Sequence, residues 1–107
     1  MALTREFQNT TVARVRRDPL FACTLLDQAA TLFLNGEPDA ARLVLRDLVN
    51  ATIGFAALAE KTARPAKSLQ RMLSHNGNPS MDNLASIIGA LREALGVDLM
   101  ARAVRAA

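Results

Sequence analysis

Tryptophan and tyrosine are absent from this chain, and cysteine and histidine occur once each. Each shortage removes a class of chemistry. A lone Cys23 allows no disulfide framework, and in its apolar segment it is expected as a buried structural thiol. His75 has no cysteine or second histidine for company, so no zinc-type ligand set can be assembled, and a solvated residue at a helix end is the expectation. No Ser/His/Asp or Cys/His pair sits in a supporting motif, which leaves nucleophilic catalysis without a candidate. Gly77-Asn78-Pro79 forms a loop but lacks the surroundings of a phosphate cradle. Asp27, Glu37, Asp39 and Asp47 fall on separate surfaces and are expected to be solvated. The chain is therefore not expected to be an enzyme, and no catalytic residue, metal or cofactor is assigned.

Long apolar runs are missing too. None approaches the roughly 20 residues that span a bilayer, and the opening Met1-Ala2-Leu3-Thr4-Arg5-Glu6 is not apolar as a secretion signal would be. A cytoplasmic location without a membrane partner is expected. β-branched and aromatic runs of strand length are also lacking.

What is present is helix-forming. Hydrophobic residues make up 50% of the 107 residues, enough for one modest core, and most of them are Ala, Leu and Met. The expected class is all-α. Net charge is +3, a weak pointer to a polyanionic partner by itself. Its distribution is more telling: residues 1–18 carry +2, 19–53 carry −2, 54–80 carry +3 and 81–107 balance to zero. The central excess comes from Lys61, Arg64, Lys67 and Arg71 against Glu60.

Along the chain, residues 5–17 form a basic stretch with a thin apolar pattern, open to either a helix or a disordered arm. Asp18-Pro19 has the form of an N-cap followed by proline in the first turn. Phe21, Leu25, Leu26, Ala29, Leu32 and Phe33 then recur at helical spacing until Asn35-Gly36. Pro38-Asp39 opens a helix running to about Thr52. Gly54 is expected to cap a short helix carrying Phe55, Leu58, Ala59 and Thr62 on one face. Ala63-Arg64 makes a tight turn into a helix over 66–75, with Pro65 at its start. Ser80 caps the next helix, whose stripe is Leu84, Ile87, Ile88, Leu91 and Leu95, and Gly96 ends it. A last helix is expected over 98–107, with Leu99, Met100 and Val104 either on the core or in a dimer seam.

Two short helices joined by a tight turn, then a longer amphipathic helix, follow the helix-turn-helix plan. At about 100° per residue, Leu69, Met72 and Leu73 of the second short helix gather on one side. Lys67, Arg71 and Ser74 point the other way, with Gln70 and His75 at the shoulders and no carboxylate. Lys and Arg neutralise phosphates, Arg can fork onto guanine and Gln can pair with adenine. That set suits a helix in a major groove, although two cations on an exposed helix face are also common on ordinary surfaces.

The stretch from Gly54-Phe55-Ala56-Ala57-Leu58-Ala59-Glu60-Lys61-Thr62 through Pro65-Ala66-Lys67-Ser68-Leu69-Gln70-Arg71-Met72-Leu73-Ser74, with Gly77-Asn78-Pro79 and Leu84-Ala85-Ser86-Ile87-Ile88, resembles the lambda-repressor/Cro (XRE) domain. Within it, Leu69 to Pro79 and Leu95-Gly96-Val97-Asp98-Leu99, together with Leu32 to Pro38 in front, resemble the addiction-module antidote proteins related to HigA. The likeness covers roughly residues 25–100. It implies a lambda-repressor-like five-helix helix-turn-helix domain over 37–107, preceded by an N-terminal helical arm over 1–36, the two as one compact unit. It further implies a homodimer on an inverted-repeat operator in double-stranded DNA, repressing its own operon and neutralising a RelE/ParE-like toxin. Lys67, Ser68, Gln70 and Arg71 would fall on the recognition helix, with Ser74 at its end and Arg64 at its approach, within reach of phosphate. Two positions depart from the family pattern. Phe55 stands where many relatives have a polar residue on the DNA backbone, and Ala63 where the turn usually has glycine. These departures leave room for a rival reading, a protein-interaction module that masks a partner and has little DNA affinity.

Overall fold

The computed structural model describes Ala13 and residues 18–107, so the expected arm at 5–17 lies outside the described residues apart from Ala13. The described residues contain five helices and no strand: α1 (Pro19–Leu34), α2 (Pro38–Ala51), α3 (Gly54–Thr62), α4 (Ala66–Met72) and α5 (Met81–Leu95). The all-α class is as expected. No described helix is long and apolar enough to cross a membrane.

Local chemistry sets most of the boundaries. Asp18 caps α1 by accepting a hydrogen bond from the Leu20 amide at 3.1 Å, with Pro19 in the first turn. This uses a helix-start amide that would otherwise lack a partner. Ser80 does the same for α5 through the Asn83 amide. Gly96, at φ +66°, ends α5 while its amide and that of Val97 return to the carbonyls of Glu93 and Arg92. That left-handed closure is nearly free of strain for glycine. At α3 the expectation shifts by one residue: Ile53 holds the cap position and Gly54 is the first helical residue, at φ +78°.

α1 packs most extensively on α2, and α3 contacts α2, α4 and α5. One cluster of buried side chains joins them all, with Leu26 from α1, Leu45 and Leu48 from α2, Leu58 from α3, Leu69 from α4 and Ile87 and Leu91 from α5. Residues on both sides of the Asn35-Gly36 turn therefore enter a single core. Such leucines fix the helices because truncating one to alanine typically costs about 2–5 kcal/mol in transfer and cavity terms. Cys23 is half-buried instead of fully buried.

Two expected helices are corrected. The segment 98–107 is not helical, so the five helices found are not the five expected in the domain over 37–107. Val97 and Leu99 lie against the core while Met100 and Val104 are 91% and 73% exposed. With only Leu99 of its apolar stripe against the core, a helix this short has little to offset its nucleation cost. α4 ends at Met72 and not at His75. The Leu73 amide still reaches the Leu69 carbonyl, but the carbonyls of Ser74 and His75 turn toward α2 and accept from Arg42.

The α3–α4 turn is strained. Ala63 caps α3 at φ 55°, ψ 39°, and is the one described non-glycine residue at positive φ. A left-handed alanine costs on the order of 1–2 kcal/mol, more than the entropy a glycine would lose on folding. Ala63→Gly is therefore expected to stabilise the fold by about 0.5–1 kcal/mol, raising the thermal midpoint by a few degrees. Thermal unfolding followed by circular dichroism tests this, and an unchanged or lowered midpoint would show that the turn holds no releasable strain.

Candidate functional site

α4 begins after Pro65, whose extended backbone at φ −62°, ψ 139° serves as its cap position. The helix is too short to stand alone and is held from behind. Leu69 and Leu73 are fully buried, and Met72 is packed against the core. Residues at three- and four-residue steps on the other side face out: Lys67, Gln70 and Arg71 are all exposed. None of the three side chains has a hydrogen bond or ion pair to another described residue. Two cationic groups and one amide thus share an exposed face on a helix with no carboxylate of its own.

The other expected site residues are placed differently. Arg64 is half-buried, donating from Nε to Asn83 Oδ1 at 2.7 Å and from Nη1 to the Thr62 carbonyl at 2.9 Å. It ties the α3–α4 turn to the first turn of α5, so two of its guanidinium nitrogens already have partners. Ser68 is half-buried. Ser74 is half-buried too, its hydroxyl donating to the Arg71 carbonyl at 2.7 Å. His75, just beyond α4, is exposed, as expected. Lys61, the fourth cation of the central segment, pairs with Glu93 of α5 at 3.3 Å, with the Lys61 side chain 34% exposed and that of Glu93 77%. Such a pair contributes at most about 1 kcal/mol, but it offsets part of the positive charge beside α4.

Phe55 is 8% exposed and belongs to the core cluster. Its ring offers no polar group at the start of α3.

Arg42 of α2 is the residue that sequence reasoning passed over. Its side chain is only 11% exposed, and its guanidinium donates to the Ser74 carbonyl from Nε and to the His75 carbonyl from Nη2, each at 3.3 Å. Asp39, one turn earlier on α2, accepts from Nη2 at 2.5 Å and aims the group. The Asp39/Arg42 spacing is legible as a pair within one helix. The bonds to residues 32 and 33 positions away are not. Removing this clip leaves two carbonyls without their partner, each loss worth about 1 kcal/mol. Arg42→Ala is expected to lower stability by about 2 kcal/mol, and Arg42→Lys, which cannot fork, should recover only part of it. Urea denaturation of the two variants measures this; equal stability of Arg42→Ala and the parent chain would show that the clip holds nothing.

Further along α2, Arg46 has a buried Nε with no hydrogen-bond partner among the described residues, and burial pushes the neighbouring Asp47 carboxyl above its ordinary value, against the lowering pull of Arg46. Both features are costs of packing charged residues on a partly covered helix. Among the described residues no group of three or more His, Cys, Asp or Glu could hold a metal ion. No family model, characterised protein or solved structure matches this chain.

Proposed function

We propose that this chain is a sequence-specific DNA-binding repressor with a lambda-repressor-like helix-turn-helix, formed by α3, the Ala63-Arg64 turn and α4. The observation that carries the reading is the outer face of α4, where the side chains of Lys67, Gln70 and Arg71 stand exposed, without a partner among the described residues, on a helix anchored by Leu69 and Leu73. Phosphate contacts from Lys67 and Arg71 would supply most of the affinity. Base edges read by Gln70 and Arg71 would supply the selectivity. A homodimer would present two such helices to an inverted repeat with half-sites about one helical turn apart. Arg64 acts here first as a brace for the turn, which narrows its part in phosphate binding. The further step, to the antitoxin of a toxin–antitoxin module that represses its own operon, is supported by the resemblance of residues 25–100 to antidote proteins.

The test is fluorescence anisotropy of the purified chain against the DNA upstream of its own gene and against a scrambled duplex, at several salt concentrations. Salt-dependent binding that favours the upstream DNA by about a thousandfold is the expected result. Equally weak binding to both duplexes would reduce the two short helices to a scaffold and favour the protein-interaction reading.

A further inference from the structure

α4 is fixed to the rest of the fold in two places. Along its body, Leu69 and Leu73 are fully buried. Beyond its end, hydrogen bonds of the 73–77 turn converge on one atom. The Ser74 carbonyl accepts from the Gly77 amide at 3.0 Å and from Arg42 Nε at 3.3 Å. The next carbonyl, that of His75, accepts from Arg42 Nη2 at 3.3 Å. Ser74 in turn holds the last turn of α4, its amide donating to the Arg71 carbonyl at 3.2 Å and its hydroxyl at 2.7 Å. A short path of hydrogen bonds therefore runs from Arg42 of α2, through Ser74, to the backbone that carries Arg71.

This path has little slack. Gly77 is buried, and a Cβ there would lie 2.1 Å from the Met72 carbonyl oxygen, so the turn has no room to close further on α4. At the other end, Asp39 aims the Arg42 guanidinium, and the Arg42 side chain is only 11% exposed. Its donors are spent on Asp39 and on two backbone carbonyls. Any effect of Arg42 on DNA recognition thus passes through the turn and not through a contact of its own.

The two kinds of DNA contact differ in how well they tolerate a displaced helix. Attraction between an exposed cation and phosphate extends over a screening length of about 8–10 Å, so a small shift costs it little. A guanidinium forked onto a base edge must be held within about 0.5 Å of its place. We propose that Arg42 is a positioning residue for base reading by Arg71: it sets the selectivity of the chain and leaves its general affinity for DNA almost untouched. The inference rests on the repressor reading and adds to it a residue outside the helix-turn-helix.

The test is anisotropy titration of the full chain and its Arg42→Ala, Arg42→Lys and Asp39→Ala variants against the upstream and the scrambled duplex. It is run at a temperature where circular dichroism shows each chain folded. Arg42→Ala should lower the preference for upstream DNA by about tenfold or more, with affinity for the scrambled duplex and its salt dependence unchanged. Arg42→Lys should restore part of the preference, since an ammonium can reach one carbonyl but cannot fork. Asp39→Ala should give a smaller loss in the same direction. The Asp39 side chain is 78% exposed, so this variant carries the test if Arg42→Ala does not fold. A purely structural role would weaken binding to both duplexes alike, and that result would overturn the proposal. So would variants that discriminate as well as a discriminating parent. A parent chain without preference would sink the repressor reading and this inference with it, which separates the two failures.

Discussion

Replacing Lys67 and Arg71 together with alanine is expected to lower affinity for the upstream DNA by about a hundredfold or more while leaving the fold intact. The first part follows from the contacts proposed for them. A bidentate arginine on a base pair is worth about 1–3 kcal/mol of discrimination, and each lost phosphate contact should flatten the salt dependence by about one unit of slope. The second part follows from the structure. Both side chains are exposed and have no partner among the described residues, and alanine is the better helix former. The thermal midpoint should therefore stay within a degree or two. Anisotropy titrations at several salt concentrations, beside thermal unfolding, separate the outcomes. Unchanged affinity and an unchanged slope would mean that α4 does not face DNA.

Gly77→Ala is expected to be the most damaging single methyl group in the described chain, at about 3 kcal/mol. A Cβ at Gly77 would lie 2.1 Å from the Met72 carbonyl oxygen and 2.6 Å from that of Arg71. Both atoms belong to the backbone of the last turn of α4, so no side-chain rotation relieves the clash. Either Gly77 moves out, breaking its amide bond to the Ser74 carbonyl at 3.0 Å, or the end of α4 moves and carries Arg71 with it. Urea denaturation measures the first cost and DNA titration the second. A loss of under about 1 kcal/mol with full DNA affinity would show that the 73–77 turn is softer than its close contacts imply.

These two positions show how unevenly the molecule could be read from its residues. The faces of α4 were legible, because Leu69 and Leu73 alternate with Lys67, Gln70 and Arg71 at helical spacing and burial follows that spacing. The caps at Asp18, Ser80 and Gly96 were legible for a similar reason, since each depends on a side chain or a glycine acting on backbone within a few residues. The end of α4 was not. Nothing between Leu73 and His75 forbids another helical turn, yet α4 ends at Met72 and the carbonyls of Ser74 and His75 beyond it are held by Arg42, over thirty residues earlier. Arg64 was misweighted in the same way, as a free cation in sequence and a brace to Asn83 in the fold. The segment 98–107 carries apolar residues at helical spacing, yet only Leu99 meets the core, so the stripe has little to pack against.

The sequence by itself determined that this protein is all-helical, where most helices begin, which side of each is apolar and where the positive charge gathers. Those properties come from interactions within one or two turns of chain, and composition and spacing encode them directly. The tertiary structure alone decided where α4 ends, which of the central cations are engaged and which are left exposed, and that the C-terminal segment forms no helix. Each of these depends on what a group meets from a distant part of the chain, and a hydrogen bond or a buried face exists only once both partners have been brought together.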